Sequence, residues 1–289
     1  MKIAMTMPRW RVLLAGTAYA LVLALTGAAP PPAELHVGMV PDAGATRVSI
    51  EQKAPLQQYL AAHLHRPVRL IIPTNYNATV EALGNGSLDI AYLGGLTYVK
   101  AHARYGAVPL VQRDVDRQFH ALFITRTDSG IVSLGQLRGK SFCFGDINST
   151  SGHLMPELIF RKAGINPKTD LAATRYTGSH LATAQAVATG ACDAGAIDQT
   201  VFEQLIRTGK LAPGQLRLFY TSQPFADYVW VARRDLDPGA AAAFSQALIA
   251  LKPGRDQPVL DVLRGTTYVP AQDNIYDGIR ATAKALGLL

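Results

Sequence analysis

The run Leu35-His-Val-Gly-Met-Val40, the stretch 50–65 and the run Val68-Arg-Leu-Ile-Ile72 spell one strand–helix–strand unit. Both runs are short and apolar, and between them Leu56, Leu60 and Leu64 fall on one helical stripe. The pattern then repeats outward. It predicts a helix over 77–85, a strand over Leu88-Asp-Ile-Ala-Tyr-Leu93 and a helix over 96–105. A second set follows: strand Ser141-Phe-Cys-Phe144, helix 154–163, a strand near 173–176, helix 181–189 and a strand over 191–197. Strands alternating with helices imply βαβ units and a mainly parallel sheet, so the chain reads as α/β with two lobes.

No repeat or low-complexity tract separates the lobes, so the joints are short. Segments 119–124 and 228–232 both read as strands beside the second set, which makes them the candidates for the two crossings. The expected division is a discontinuous first lobe, 34–124 and 225–289, with 125–224 inserted as the second and a ligand cleft between. Ligands of open α/β sheets bind beyond the carboxyl ends of the strands.

The chain has 289 residues, 48% of them hydrophobic and 17% charged, a globular balance that excludes both a disordered chain and a disulfide-stapled miniprotein. Lys2, Arg9 and Arg11 precede the apolar run 12–25 and the small residues Thr26-Gly-Ala-Ala29, the layout of a secretory signal peptide over 1–29. A run of about 14 residues falls short of the ~20 that a membrane span needs. No cysteine follows it, so the exported chain is expected to be soluble, periplasmic and unlipidated. Without that stretch the net charge of +7 drops to +4, too mild an excess to suggest nucleic acid.

Chemistry concentrates in Phe144-Gly-Asp-Ile-Asn-Ser-Thr-Ser-Gly-His-Leu-Met-Pro156, which follows a strand and opens a helix. Ser149, Thr150 and Ser151 set three hydroxyls beside the free N–H groups of a helix start, and Gly152 allows close approach, as in an anion cradle. Ordinary N-capping by one hydroxyl is the alternative. A nucleotide loop is excluded: Gly135-Gln-Leu-Arg-Gly-Lys-Ser141 is one residue short of the phosphate-loop spacing and leads into a strand rather than a helix.

Three phrases carry a resemblance: Tyr76-Asn-Ala-Thr-Val-Glu-Ala-Leu-Gly-Asn-Gly-Ser-Leu-Asp-Ile-Ala-Tyr-Leu-Gly-Gly95, Ser149-Thr-Ser-Gly-His-Leu-Met-Pro156 and Gly190-Ala-Cys-Asp-Ala-Gly-Ala-Ile-Asp198. They resemble the PhnD-like family, periplasmic solute-binding proteins of phosphonate and phosphite ABC transporters. The likeness runs over about 35–270 and is nearest the phosphite-binding branch through Leu93-Gly-Gly95 and Pro109-Leu-Val-Gln-Arg113. It implies a two-lobe type II periplasmic binding protein fold and a monomeric, soluble protein without cofactor or catalysis, with an ABC permease as partner. It also implies that Ser149, Thr150 and Ser151 bind a small oxyanion, phosphite or a phosphonate. Tyr76 and Tyr92 would line the cleft from the first lobe, with His180 and Asp198 from the second. Phosphite-binding relatives often carry Trp where Tyr92 stands.

These residues also have bland readings: packing for the tyrosines, a helix-start histidine for His180, an N-cap for Asp198. Asp89 and Asp193 read as structural. A serine, His180 and Asp198 include the types of a hydrolytic triad, but no serine sits in G-x-S-x-G. The scattered histidines make no metal site. Cys143 and Cys192 fall in one lobe, where an oxidising compartment permits a disulfide; a thiol pair for a soft oxyanion such as arsenite is the alternative. A ligand-loaded sensor partner of a membrane receptor is the alternative to an importer subunit. Chemically, hydroxyls and an imidazole N–H donate to an oxyanion whereas a carboxylate accepts, so the ligand is expected to carry a proton, which sulfate lacks near neutral pH.

Overall fold

The computed structural model describes residues 33–44 and 50–289. The signal peptide expected over 1–29 lies outside the described residues. Two sheets organise the chain. The first is built from β1 (Leu35–Met39), β2 (Val68–Ile71), β3 (Ile90–Leu93), β4 (Val108–Arg113), β10 (Val229–Ala232) and β11 (Tyr268–Pro270), in the order β11-β4-β10-β3-β1-β2. The second is built from β5 (Ala121–Arg126), β6 (Ser141–Phe144), β7 (Ala173–Tyr176), β8 (Ala194–Asp198) and β9 (Leu216–Thr221), in the order β7-β6-β8-β5-β9. Strands joined by helices pair in parallel, β1 with β2 and β3, and β6 with β7 and β8. The helices between them are α1 (Ala54–Leu64), α2 (Tyr76–Gly84), α3 (Gly95–Tyr105), α4 (Met155–Lys162), α5 (His180–Ala188) and α6 (Gln199–Arg207). Two more, α7 (Pro238–Ile249) and α8 (Gln257–Leu263), follow β10, and α9 (Asp277–Ala285) ends the described chain.

The crossing strands behave differently. β5 pairs antiparallel with β8 and β9, entirely inside the second sheet, so the expected first-lobe boundary at 124 is moved back. The change of sheet falls where Phe119 and Phe225 face each other in an isolated antiparallel bridge. β10 likewise lies wholly in the first sheet, antiparallel between β3 and β4. The reason is geometric: a chain returning from an insertion arrives from the opposite end and adds to the sheet in the reverse direction.

Local chemistry starts three of the helices that face the cleft. Asn75 caps α2 by accepting from the Ala78 N–H at 2.8 Å, Ser179 caps α5 through Ala182, and Asp198 caps α6 through Val201 at 2.9 Å. One large core fills the first lobe, and two smaller clusters cover the two faces of the second sheet. Leu154 and Met155, at the start of α4, pack into the first lobe's core, which holds the lobes shut against each other. Asp89 and Asp193 are structural: Asp89 pairs with Arg233 at 3.0 Å, and Asp193 accepts from the Ser141 hydroxyl at 2.7 Å.

Candidate functional site

Every residue expected at the site sits at or just past the carboxyl end of a strand. Tyr76 opens the helix after β2, Tyr92 lies in β3, Ser149 to Ser151 follow β6, His180 follows β7 and Asp198 ends β8. That is where parallel strands direct their loops, and here the ends of both sheets meet in the cleft. All seven residues are buried, with relative exposures of 1% or less.

The three cradle hydroxyls are not equivalent. Residues Thr150–Leu154 form a single π-type turn ahead of α4. Ser149 Oγ accepts the Gly152 N–H at 3.0 Å, and Thr150 Oγ1 accepts the Leu96 N–H of the first lobe at 3.0 Å. Among the described residues Ser151 Oγ has no partner. Each hydroxyl that accepts retains its own proton to donate. Gly152 is needed for room: a β-carbon there would stand 2.9 Å from Ser149 Oγ and 3.1 Å from His180 Cε1.

His180 receives the backbone N–H of Asp198 on Nδ1 at 3.3 Å, which leaves the proton on Nε2, beside the Tyr228 hydroxyl at 3.4 Å. Burial lowers its pKa against the pull of Asp198 and Asp42, so the ring is a neutral Nε2–H donor. Burial also pushes the phenols of Tyr76, Tyr92 and Tyr228 well up, keeping them protonated. Among the described residues the Tyr92 hydroxyl has no hydrogen-bond partner, and that of Tyr76 approaches Tyr228 without a well-formed bond. Tyr92 stacks on Tyr228 with centroids 4.9 Å apart.

Asp198 fulfils the bland expectation with one oxygen. Its Oδ1 accepts from Val201 N–H at 2.9 Å and from the Thr200 hydroxyl at 2.8 Å, while Oδ2 is buried without a partner. A second acid, which the sequence reading missed, stands near it. Asp227, just before β10, accepts the Gly95 N–H on Oδ1 at 2.9 Å, beside the Thr150 hydroxyl, and its Oδ2 is also unpartnered. Burial, reinforced by Asp198 and Asp116, pushes Asp227 up to about 8, so it holds a proton at neutral pH. The signal available in the sequence was an acid placed directly before the apolar run Tyr228-Val-Trp-Val231.

The lobes are joined across this site. His180 N–H donates to the Asp42 carbonyl at 3.0 Å, and Lys100 Nζ donates to Asn148 at 2.6 Å. Cys143 and Cys192 form a disulfide with Cα atoms 5.9 Å apart inside the second lobe's core, which removes the thiol-pair alternative. The arrangement gathers hydroxyl, phenol and imidazole donors, with two carboxyl oxygens as their counterparts. It suits a compact tetrahedral oxyanion.

Comparison with known proteins gives the family. The family model described as the periplasmic substrate-binding protein of a phosphonate ABC transporter matches residues 37–276. The probable ABC transporter phosphite binding protein PhnD1 of Prochlorococcus marinus is 30% identical over 270 residues, 88% of this chain and 90% of that one. The phosphate-import protein PhnD of Mycolicibacterium smegmatis is 31% identical over 64% of this chain and 61% of its own. The structure of the Prochlorococcus PhnD1 in complex with methylphosphonate superposes with a TM-score of 0.82 at 28% identity, over 89% of this chain and 99% of that one.

Proposed function

Because the chain belongs to the family of periplasmic substrate-binding proteins of phosphonate ABC transporters, we propose that it captures a small phosphorus oxyanion, phosphite or a short phosphonate, for such an importer. The family binds and delivers, and does not catalyse. Tyr76, Tyr92, Ser149, Thr150, Ser151 and His180 donate to the oxyanion, and Asp198 accepts from it. Asp227 joins them as a neutral carboxyl that donates to a phosphorus-bound oxygen. No described helix is long and apolar enough to cross a membrane. The basic, apolar and small-residue succession of 1–29 supports export by a cleaved, unlipidated signal.

One observation carries the reading. Tyr92 OH, Ser151 Oγ, Asp198 Oδ2 and Asp227 Oδ2, from both lobes, are all buried without partners among the described residues, which is costly unless a bound group completes them. Because Oδ1 of Asp198 is already occupied, its Oδ2 calls for a donor. A protonated phosphorus oxyanion supplies that P–OH, and sulfate does not, so sulfate leaves an acceptor unpaired. Calorimetry of the mature protein against phosphite, methylphosphonate, 2-aminoethylphosphonate, phosphate, sulfate and arsenite tests the assignment. The expected result is binding of phosphite or methylphosphonate and none of sulfate. Turnover of any ligand, or no binding by the phosphorus oxyanions, would overturn it.

A further inference from the structure

The geometry points to Thr200 as the closure latch of this site, a second-lobe hydroxyl on which two first-lobe arginines converge and through which closure orients Asp198. Arg113 Nη1 donates to Thr200 Oγ1 at 3.2 Å and Arg264 Nε donates to the same oxygen at 3.3 Å. Thr200 Oγ1 in turn donates to Asp198 Oδ1 at 2.8 Å. A hydroxyl has two lone pairs and one proton. With both lone pairs taken by guanidinium N–H groups, the proton has a single destination, the Asp198 carboxyl. When the lobes part, the arginines withdraw with the first lobe and the hydroxyl is free to turn.

Both arginines are themselves held in place by buried partners. Arg113 is fully buried, grips Asp116 through Nε at 2.7 Å and Nη2 at 2.5 Å, and donates to the carbonyls of Leu263 and Arg264. Its guanidinium carbon lies 5.3 Å from the centre of the Tyr228 ring and 5.8 Å from that of Tyr92. Burial is the largest influence and opposes its charge, but Asp116, Tyr92 and Asp198 together outweigh it and keep the guanidinium cationic. Arg264 is held by Asp42, the residue whose carbonyl accepts the His180 N–H. Thr200, Arg113 and Arg264 also line a cavity of about 530 Å³, so the latch stands between that space and Asp198. Thr200 is therefore a positioning residue, acting on the ligand through Asp198, and the inference rests on the reading of Asp198 as a ligand residue.

Thr200→Val keeps the shape of the side chain and removes its hydroxyl; Thr200→Ser keeps the hydroxyl. Stopped-flow and calorimetric binding of methylphosphonate, with thermal unfolding of the ligand-free proteins, compare both with wild type. Loss of the hydroxyl and its three charge-assisted bonds predicts that Thr200→Val releases ligand at least about tenfold faster while the association rate stays within about twofold. Ligand-free Tm stays at the wild-type value, the ligand-induced rise in Tm shrinks, and Thr200→Ser restores wild-type release. If Thr200→Val does not fold, Thr200→Ala is read by the same criteria. Unchanged release in the hydroxyl-free variant, a loss confined to the association rate, or a serine variant that behaves like valine overturns the latch alone. A wild type that binds no phosphorus oxyanion overturns the functional reading and the latch with it.

Discussion

Replacing Asp227 by Asn tests whether closure of this protein is coupled to a proton. In the closed structure burial lifts the acid to about 8. In an open cleft, with water at the carboxyl, it returns toward the ordinary value near 3.9. Between those values the closed form holds the proton and the open form does not, so ligand-driven closure takes one up. The sign follows: the favourable contribution is complete at acid pH, declines about tenfold in affinity per pH unit as pH rises, and is exhausted above about 8. At pH 7 a group at about 8 is roughly nine-tenths protonated, so binding takes up about 0.9 proton at this site, falling to about 0.1 at pH 9. Asn preserves the acceptor for the Gly95 N–H and offers an N–H in place of the acid's O–H, with nothing to titrate. Calorimetry of methylphosphonate binding in two buffers of different ionisation enthalpy measures the uptake. The ligand's own titration is common to both proteins and cancels in their difference. Wild type should exceed Asp227→Asn by close to one proton at pH 7, and the variant's affinity should depend less on pH by about one logarithmic unit per pH unit between about 5 and 8. Equal uptake by the two proteins would refute the reasoning.

Ser151→Ala should weaken oxyanion binding about tenfold while leaving unfolding of the ligand-free protein unchanged, because the deleted hydroxyl has no partner among the described residues. Ser149→Ala should weaken binding and also lower stability by about 1 kcal/mol, since its Oγ caps the turn through Gly152 N–H; calorimetry with denaturant unfolding separates the two effects. Reducing the Cys143–Cys192 disulfide, which closes a 49-residue separation, should cost about 4 kcal/mol in denaturant unfolding and leave ligand affinity within about twofold.

Much of this molecule was legible in one dimension because the deciding signals are local. Alternating strands and helices, such as Leu35–Met39 followed by Ala54–Leu64 and Val68–Ile71, report themselves through apolar spacing. The residues Ser149 to Ser151, His180 and Asp198 stand at helix starts, which hydroxyls and carboxylates mark in any sequence. What only the tertiary structure decided depends on partners far apart along the chain. β5 joined the second sheet because β8 and β9 offered it hydrogen bonds, a choice its own apolar residues do not express. The three cradle hydroxyls became a cap, an interlobe acceptor and an orphan donor according to what folded against each. Asp227 has no motif around it, and its raised proton affinity comes from burial that no neighbour in sequence confers. Arg113 and Arg264 meet Thr200 across separations of 87 and 64 residues, and such convergence exists only once the lobes have closed. Periodicity and capping are properties of a short segment, whereas desolvation and hydrogen-bond partnership belong to the packed whole.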